Sequence, residues 1–144
     1  MERRSILLVL WIFATLNYLY CDVLGLMDPN LLKGFLAGKI NGIDISQGFL
    51  LASGVLVEIP IAMVLLTWLL PQRANRWANI AAAAVMTLVQ AGTLVFKSPT
   101  LYYTFFSIIE IATTAVIVWY AWARPSGAPE LVGERWATTA PVGQ

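Results

Sequence analysis

Four long apolar stretches occupy most of this 144-residue chain. They run over residues 5–27, 47–70, 77–96 and 100–123. At a rise of about 1.5 Å per residue, a helix of this length crosses the hydrocarbon core of a bilayer, which is about 30 Å thick. The pattern predicts an all-α integral membrane protein, a four-helix bundle formed as one transmembrane domain by residues 1–124.

The composition supports this class and excludes others. Hydrophobic residues make up 59% of the chain and charged residues 12%, whereas a soluble domain carries roughly 25% charged residues. The formal net charge of +1 gives no electrostatic basis for binding nucleic acid. Because the chain has no histidine and one cysteine, it lacks the commonest metal and haem ligand and has no intramolecular disulfide. We therefore expect no metal and no cofactor.

The connection between the first two apolar stretches has local signals of its own. Asp28 followed by a proline has the form of a helix N-cap with proline in the first turn. Four apolar residues then line one helical face: Leu31, Leu32, Phe35 and Leu36. These features predict a short amphipathic helix at the membrane interface, with an ordinary ordered loop as the alternative. Gly38 is suited to end that helix, and Asn41–Gly42 is a turn signal.

The remaining connections are short, and the end of the chain has a different composition. Residues 71–76 and 97–99 predict tight turns, so the last three membrane helices should be antiparallel neighbours. Residues 125–144 are rich in Pro, Gly, Ala and Thr without an apolar period. Such a segment buries too little apolar surface to fold, and we expect a disordered cytoplasmic tail there.

The basic residues predict the orientation. An even number of spans puts both termini on one side of the membrane. That side holds six arginines: Arg3, Arg4, Arg73, Arg76, Arg124 and Arg135. The other side holds three lysines: Lys33, Lys39 and Lys97. Because basic residues concentrate on the cytoplasmic side, both termini should be cytoplasmic.

Polar residues inside the predicted spans are the strongest functional signal. Asp22, Glu58 and Glu110 are carboxylates at bilayer depth, and no basic residue lies in the spans to pair with them. Counted from the outer helix ends, Glu58, Glu110 and Asn17 lie about 15 Å deep, near the midplane. Gln90 and Asp22 lie shallower, so every helix brings a polar residue to the outer half of the bundle.

The spacing of these residues predicts a common cavity. Tyr103, Phe106, Glu110 and Thr114 are three or four positions apart and share a helical face. The candidate ligand-binding residues are Asn17, Tyr18, Asp22, Glu58, Gln90, Tyr103, Phe106, Glu110 and Thr114. The candidate catalytic residues are Glu58, Glu110 and Asp22.

These residues support four hypotheses of different classes. The leading one is a buried acidic, aromatic-lined cavity that binds a small lipophilic molecule or an amine. The second is an acid–base isomerase or cyclase of an isoprenoid-like lipid, with Glu58 and Glu110 as acid and base. The third is a proton-coupled transporter, which would need a homodimer. The fourth is a structural or accessory subunit in which neutral carboxyls hydrogen-bond across helices.

Several short motifs carry a resemblance to a known group of proteins. They are residues 17–22 (NYLYCD), Pro71 with residues 75–79 (NRWAN), Tyr102–Tyr103 with Glu110, and residues 118–122 (VWYAW). Together, over about residues 8–124, they resemble a family of small uncharacterised bacterial membrane proteins with four helices, which is itself similar to DoxX-like proteins. The resemblance implies the four-helix fold and a bacterial inner membrane, but no activity. The thiol chemistry proposed for some DoxX-like proteins finds no cysteine pair here, because Cys21 is alone.

Overall fold

The computed structural model describes residues 2–40, 42–96 and 100–123. The predicted turn at 97–99 and the predicted disordered tail at 125–144 lie outside these residues. The described elements are α1 (Arg3–Met27), α2 (Pro29–Leu36), β1 (Lys39–Ile40), β2 (Ile43–Asp44), α3 (Gln47–Leu69), α4 (Gln72–Phe96) and α5 (Leu101–Trp122).

The four long helices, α1, α3, α4 and α5, are long and apolar enough to cross a membrane. They confirm the predicted all-α fold with four spanning helices. The start of α4 differs from the prediction, because the helix begins at Gln72 rather than near residue 77. The polar segment that suggested a turn consists mainly of good helix formers. Its first turn is closed by the Asn75 backbone N–H, which donates to the Pro71 carbonyl at 2.9 Å.

The long helices pack as a ring. α1 packs against α3 and α5, and α4 packs against the same two helices. The bundle end that holds the starts of α1 and α4 and the ends of α3 and α5 is here called the terminal end. There the Arg4 guanidinium donates to the Leu70 carbonyl at 2.9 Å. The other end, with α2 and the two short strands, is called the hairpin end.

The hairpin end follows from local sequence signals. The Asp28 side chain accepts a hydrogen bond from the Asn30 backbone N–H at 2.9 Å, which confirms the predicted N-cap of α2. Gly38 and Gly42 have φ angles of +70° and +82°, a region that glycine occupies without strain. The antiparallel pairing of β1 with β2 was not predicted, because strands of two residues are too short to show an alternating pattern.

The distribution of side chains is that of a bundle in lipid. Large apolar side chains are exposed on the outer surface, among them Leu88 at 73% and Val95 at 79%. Among the described residues, eight polar or charged ones are buried: Thr67, Asn75, Asn79, Gln90, Ser107, Glu110, Thr113 and Thr114. A water-soluble bundle of this size would not expose so much contiguous apolar surface. The surface therefore faces hydrocarbon, and the polar groups face one another.

A buried hydrogen bond joins two helices across the ring near the terminal end. The Trp11 side chain of α1 is fully buried, and its Nε1 donates to Asn79 Oδ1 of α4 at 2.6 Å. The Asn79 amide nitrogen in turn donates to the Asn75 carbonyl at 2.8 Å and to Asn75 Oδ1 at 2.7 Å. Leu7, Met63 and other apolar residues from all four long helices surround this junction, so it fixes the relative rotation of α1 and α4.

The junction can be tested with Trp11→Phe, which keeps an aromatic ring and removes the N–H donor. We expect the free energy of unfolding, measured by SDS titration in mixed micelles, to fall by about 1 kcal/mol. In an Asn79→Ala background the same change removes no hydrogen bond and should have a smaller effect, which separates the bond from the lost volume. Ser53→Ala, which removes an exposed hydroxyl bonded to its own helix, is the control. Equal losses in both backgrounds would contradict the assigned bond.

Candidate functional site

Glu110 is the buried carboxyl at the centre of the candidate site. It lies nine residues after Leu101, the first residue of α5, which is about 13 Å along the helix. The residue is 1% exposed, and neither carboxyl oxygen has a hydrogen-bond partner among the described residues. A buried polar group without a partner is destabilising by about 1–3 kcal/mol, and more when it is charged. Such a group at membrane depth calls for a functional explanation.

The sequence of α5 places this carboxyl inside the bundle. Buried residues recur every three or four positions along the helix: Ser107, Glu110, Thr113, Thr114, Ile117 and Ala121. This spacing follows one helical face, and that face packs on α4 and α1. Glu110 and Thr114 therefore share a buried face, as their spacing predicts.

Side-chain hydrogen bonds between α4 and α5 lie above and below Glu110. Gln90 Nε2 donates to Ser107 Oγ at 2.6 Å, Tyr103 OH donates to Thr93 Oγ1 at 2.6 Å, and the hydroxyls of Thr87 and Thr114 are 2.8 Å apart. Ser107 precedes Glu110 by three residues and Thr114 follows it by four, so these bonds flank the carboxyl by one helical turn. The seam between α4 and α5 is thus hydrogen-bonded on both sides of an unpaired acid.

α1 closes the site with a second unpaired group. The Tyr18 hydroxyl is buried and has no hydrogen-bond partner within the described chain, and it lies within electrostatic range of Glu110. The buried thiol of Cys21 is also within this range, although the single cysteine gave no signal beyond that of a small packing residue. Asp22 is exposed, yet its carboxyl is close enough to interact with that of Glu110.

Glu58 does not join this group. Its side chain is exposed on α3, and α3 packs against α1 and α4, whereas Glu110 lies on α5, across the ring. The buried residues of α3 are Pro60, Met63 and Thr67, so the face that carries Glu58 is turned outward. The predicted meeting of Glu58 with Glu110 in one cavity is therefore not the arrangement in the structure.

Two further predicted residues make local contacts instead. Asn17 donates its side-chain amide to the Phe13 carbonyl at 3.0 Å, on its own helix. Phe106 packs edge-to-face on Phe105, with ring centroids 5.5 Å apart. The residues that the structure brings together are Tyr18, Cys21, Asp22, Gln90, Tyr103, Glu110 and Thr114, together with Thr87, Thr93 and Ser107.

This fold and this site define a membrane protein of four spanning helices, with a carboxyl in its interior that has no hydrogen-bond partner in the described ranges. The chain belongs to a family of unknown function, DUF6326, whose profile matches residues 1–127. The prediction that it is a member of an uncharacterised family is confirmed to that extent. No curated protein and no solved structure matches it.

The unpaired state of Glu110 predicts an unusual response to substitution. Glu110→Met keeps a side chain of similar length and removes a carboxyl that makes no hydrogen bond to the part of the chain that the structure describes. We expect the free energy of unfolding to rise by about 1–3 kcal/mol, as measured by SDS titration in mixed micelles. Gln90→Met is the matched control, because this buried amide donates to Ser107, and its loss should lower stability by about 1 kcal/mol. A Glu110→Met variant less stable than the wild type would show that the carboxyl has a hydrogen-bond partner beyond the described residues.

Proposed function

We propose that this protein binds a small lipophilic or cationic molecule within the membrane, through the Glu110 carboxyl. The observation that carries the proposal is the burial of both carboxyl oxygens without a hydrogen-bond partner in the described chain, although polar groups one turn away on either side are paired. An ammonium or hydroxyl group of a ligand would donate the hydrogen bond that Glu110 lacks. Hydrogen bonds to charged groups contribute about 1.5–3 kcal/mol, which is enough to select such a ligand.

The surroundings of Glu110 suit a molecule with an apolar body and one polar head. Tyr18 brings a second polar group, its hydroxyl, which has no partner in the described chain, and Tyr103 is an aromatic residue two turns away on α5. Aromatic faces attract cations, most strongly where water is excluded. Asp22, which is exposed and near Glu110, would offer a first carboxylate to a cation that approaches from the hairpin end.

The cellular setting of the proposal is a bacterial inner membrane with both termini in the cytoplasm. It is supported by the six arginines on the side of the termini against three lysines on the other side. We propose that the similarity to DoxX-like proteins extends to the fold and not to thiol chemistry, because a chain with one cysteine has no thiol pair.

The proposal is tested by native mass spectrometry of the protein purified gently from its own membrane, with identification of any bound molecule. We expect the wild type to retain a lipophile or amine. Glu110→Gln preserves shape and forbids ionisation, so occupancy should fall by about tenfold or more. Glu58→Gln, a change in an exposed carboxyl at similar depth, should retain the molecule as the wild type does.

Two results would contradict the proposal that Glu110 binds a small molecule. One is a wild-type protein that carries no small molecule when it is purified under conditions that keep its lipids. The other is equal retention by the wild type and Glu110→Gln, which would reduce the carboxyl to a packing group.

A further inference from the structure

A second candidate site lies at the terminal end, away from Glu110. There the starts of α1 and α4 and the end of α5 surround a pocket with a volume of about 210 Å³. Four arginines line it: Arg3 and Arg4 from α1, and Arg73 and Arg76 from α4. The sequence showed these residues only as an orientation signal, because the two pairs are about 70 positions apart. The fold brings all four to one opening.

The positive charge of this pocket is not neutralised by the described part of the chain. The one ion pair found among the described residues, Lys39 with Asp44, lies at the hairpin end. Glu2 is the acidic residue at the terminal end within the described ranges, and it does not line the pocket. Four guanidinium groups around one cavity repel one another, and an anion between them would relieve that repulsion.

Two helix N-termini add to the positive potential. α1 and α4 both begin at this pocket, and neither has an acidic residue in its first turn. Glu2, the N-cap of α1, makes no side-chain capping bond. Free backbone N–H groups and the helix dipole both favour an anion at such a position.

Local contacts hold two of the guanidinium groups in place. Arg4 donates to the Leu70 carbonyl at 2.9 Å and to the Trp68 carbonyl at 3.4 Å. Arg76 lies over the Trp122 ring at 5.1 Å, and its Nε is buried without a partner within the described residues. Guanidinium groups fixed in this way are suited to phosphate, which they bind through paired hydrogen bonds.

We propose that this pocket binds a phosphate group, which either an anionic phospholipid headgroup or a free phosphate compound could present. The lipid is the favoured source because an apolar groove of about 450 Å³ runs between α1 and α3. The groove begins at Leu8, one turn along α1 from Arg4 on the same face, and it includes Trp68, whose carbonyl Arg4 contacts. A phosphate at the arginines would leave an acyl chain to lie along Leu8, Ile12 and Leu65. Basic pockets between helices at a membrane surface suit such headgroups.

The test is a lipid titration of the full-length protein in neutral detergent, followed by native mass spectrometry. The probes are phosphatidylglycerol and phosphatidylcholine, and a parallel thermal-shift series uses inorganic phosphate. The wild type should prefer phosphatidylglycerol. Arg3→Gln with Arg73→Gln spares the two anchored arginines, so folding is kept, and the apparent Kd should rise by about tenfold or more. Lys33→Gln with Lys39→Gln removes the same charge at the hairpin end and should leave the Kd unchanged.

The lipid titration and the phosphate series together distinguish a lipid headgroup, a free phosphate compound and failure of the proposal. Preference for phosphatidylglycerol with no response to inorganic phosphate supports a lipid headgroup, and a phosphate-induced rise in Tm that Arg3→Gln with Arg73→Gln abolishes supports a free phosphate compound. Equal binding of both lipids together with no response to phosphate overturns the proposal. Equal losses in the arginine and lysine variants also overturn it, since that result would reflect net charge alone. None of these outcomes depends on Glu110. The phosphate site and the proposed function at Glu110 are therefore tested independently.

Discussion

A polar side chain in hydrocarbon has no water to bond with, and this constraint turns the polar faces of α4 and α5 inward. Trp11 reaches Asn79 across the ring, and Gln90 reaches Ser107 along the seam between α4 and α5. Each bond satisfies a group that would otherwise destabilise the bundle. Lipid gives no hydrophobic advantage to helix association. These hydrogen bonds and close packing therefore select one arrangement of the four apolar helices.

The same constraint makes Glu110 conspicuous. Its polar neighbours one turn away have hydrogen-bond partners, and its own carboxyl has none in the described chain. A chain selected for stability alone would carry an apolar residue at this position, as stabilising substitutions of this kind are easily found. The retained acid is therefore the feature on which the proposed ligand site rests. The arginines at the terminal end are separate from Glu110 in position and opposite to it in charge. The bundle therefore has an acidic residue in its interior and a basic pocket at its terminal end.

How far the sequence predicted this structure depends on the range of the interaction. Span lengths, the Asp28 cap and the glycine turns depend on neighbouring residues, and they were predicted. The start of α4 was missed because polarity was interpreted as a loop, although Gln72 and Arg73 are good helix formers. Contacts between distant positions, such as Trp11 with Asn79 or Arg4 with Leu70, left no local signal.

The placement of Glu58 shows the limit most clearly. Apolar residues lie on every side of α3, so apart from Glu58 its sequence holds little asymmetry that would fix its rotation. Packing against α1 and α4 leaves Glu58 exposed. α5 differs, because Ser107, Glu110 and Thr114 mark one face as polar. The common face of Glu110 and Thr114 could therefore be predicted, whereas the rotation of α3 that separates Glu58 from Glu110 could not.

The burial of Glu110 is tested most directly by a nitroxide scan of positions 105–116 on α5, in bilayers and in a Cys21→Ala background. Oxygen, which dissolves in lipid, reports exposure to hydrocarbon by its collisions with each label. The burial pattern of α5 predicts collision maxima at the exposed positions 105, 108, 112 and 115, and minima at 107, 110 and 114. A maximum at position 110 would place Glu110 against lipid and would contradict the burial of its carboxyl inside the bundle.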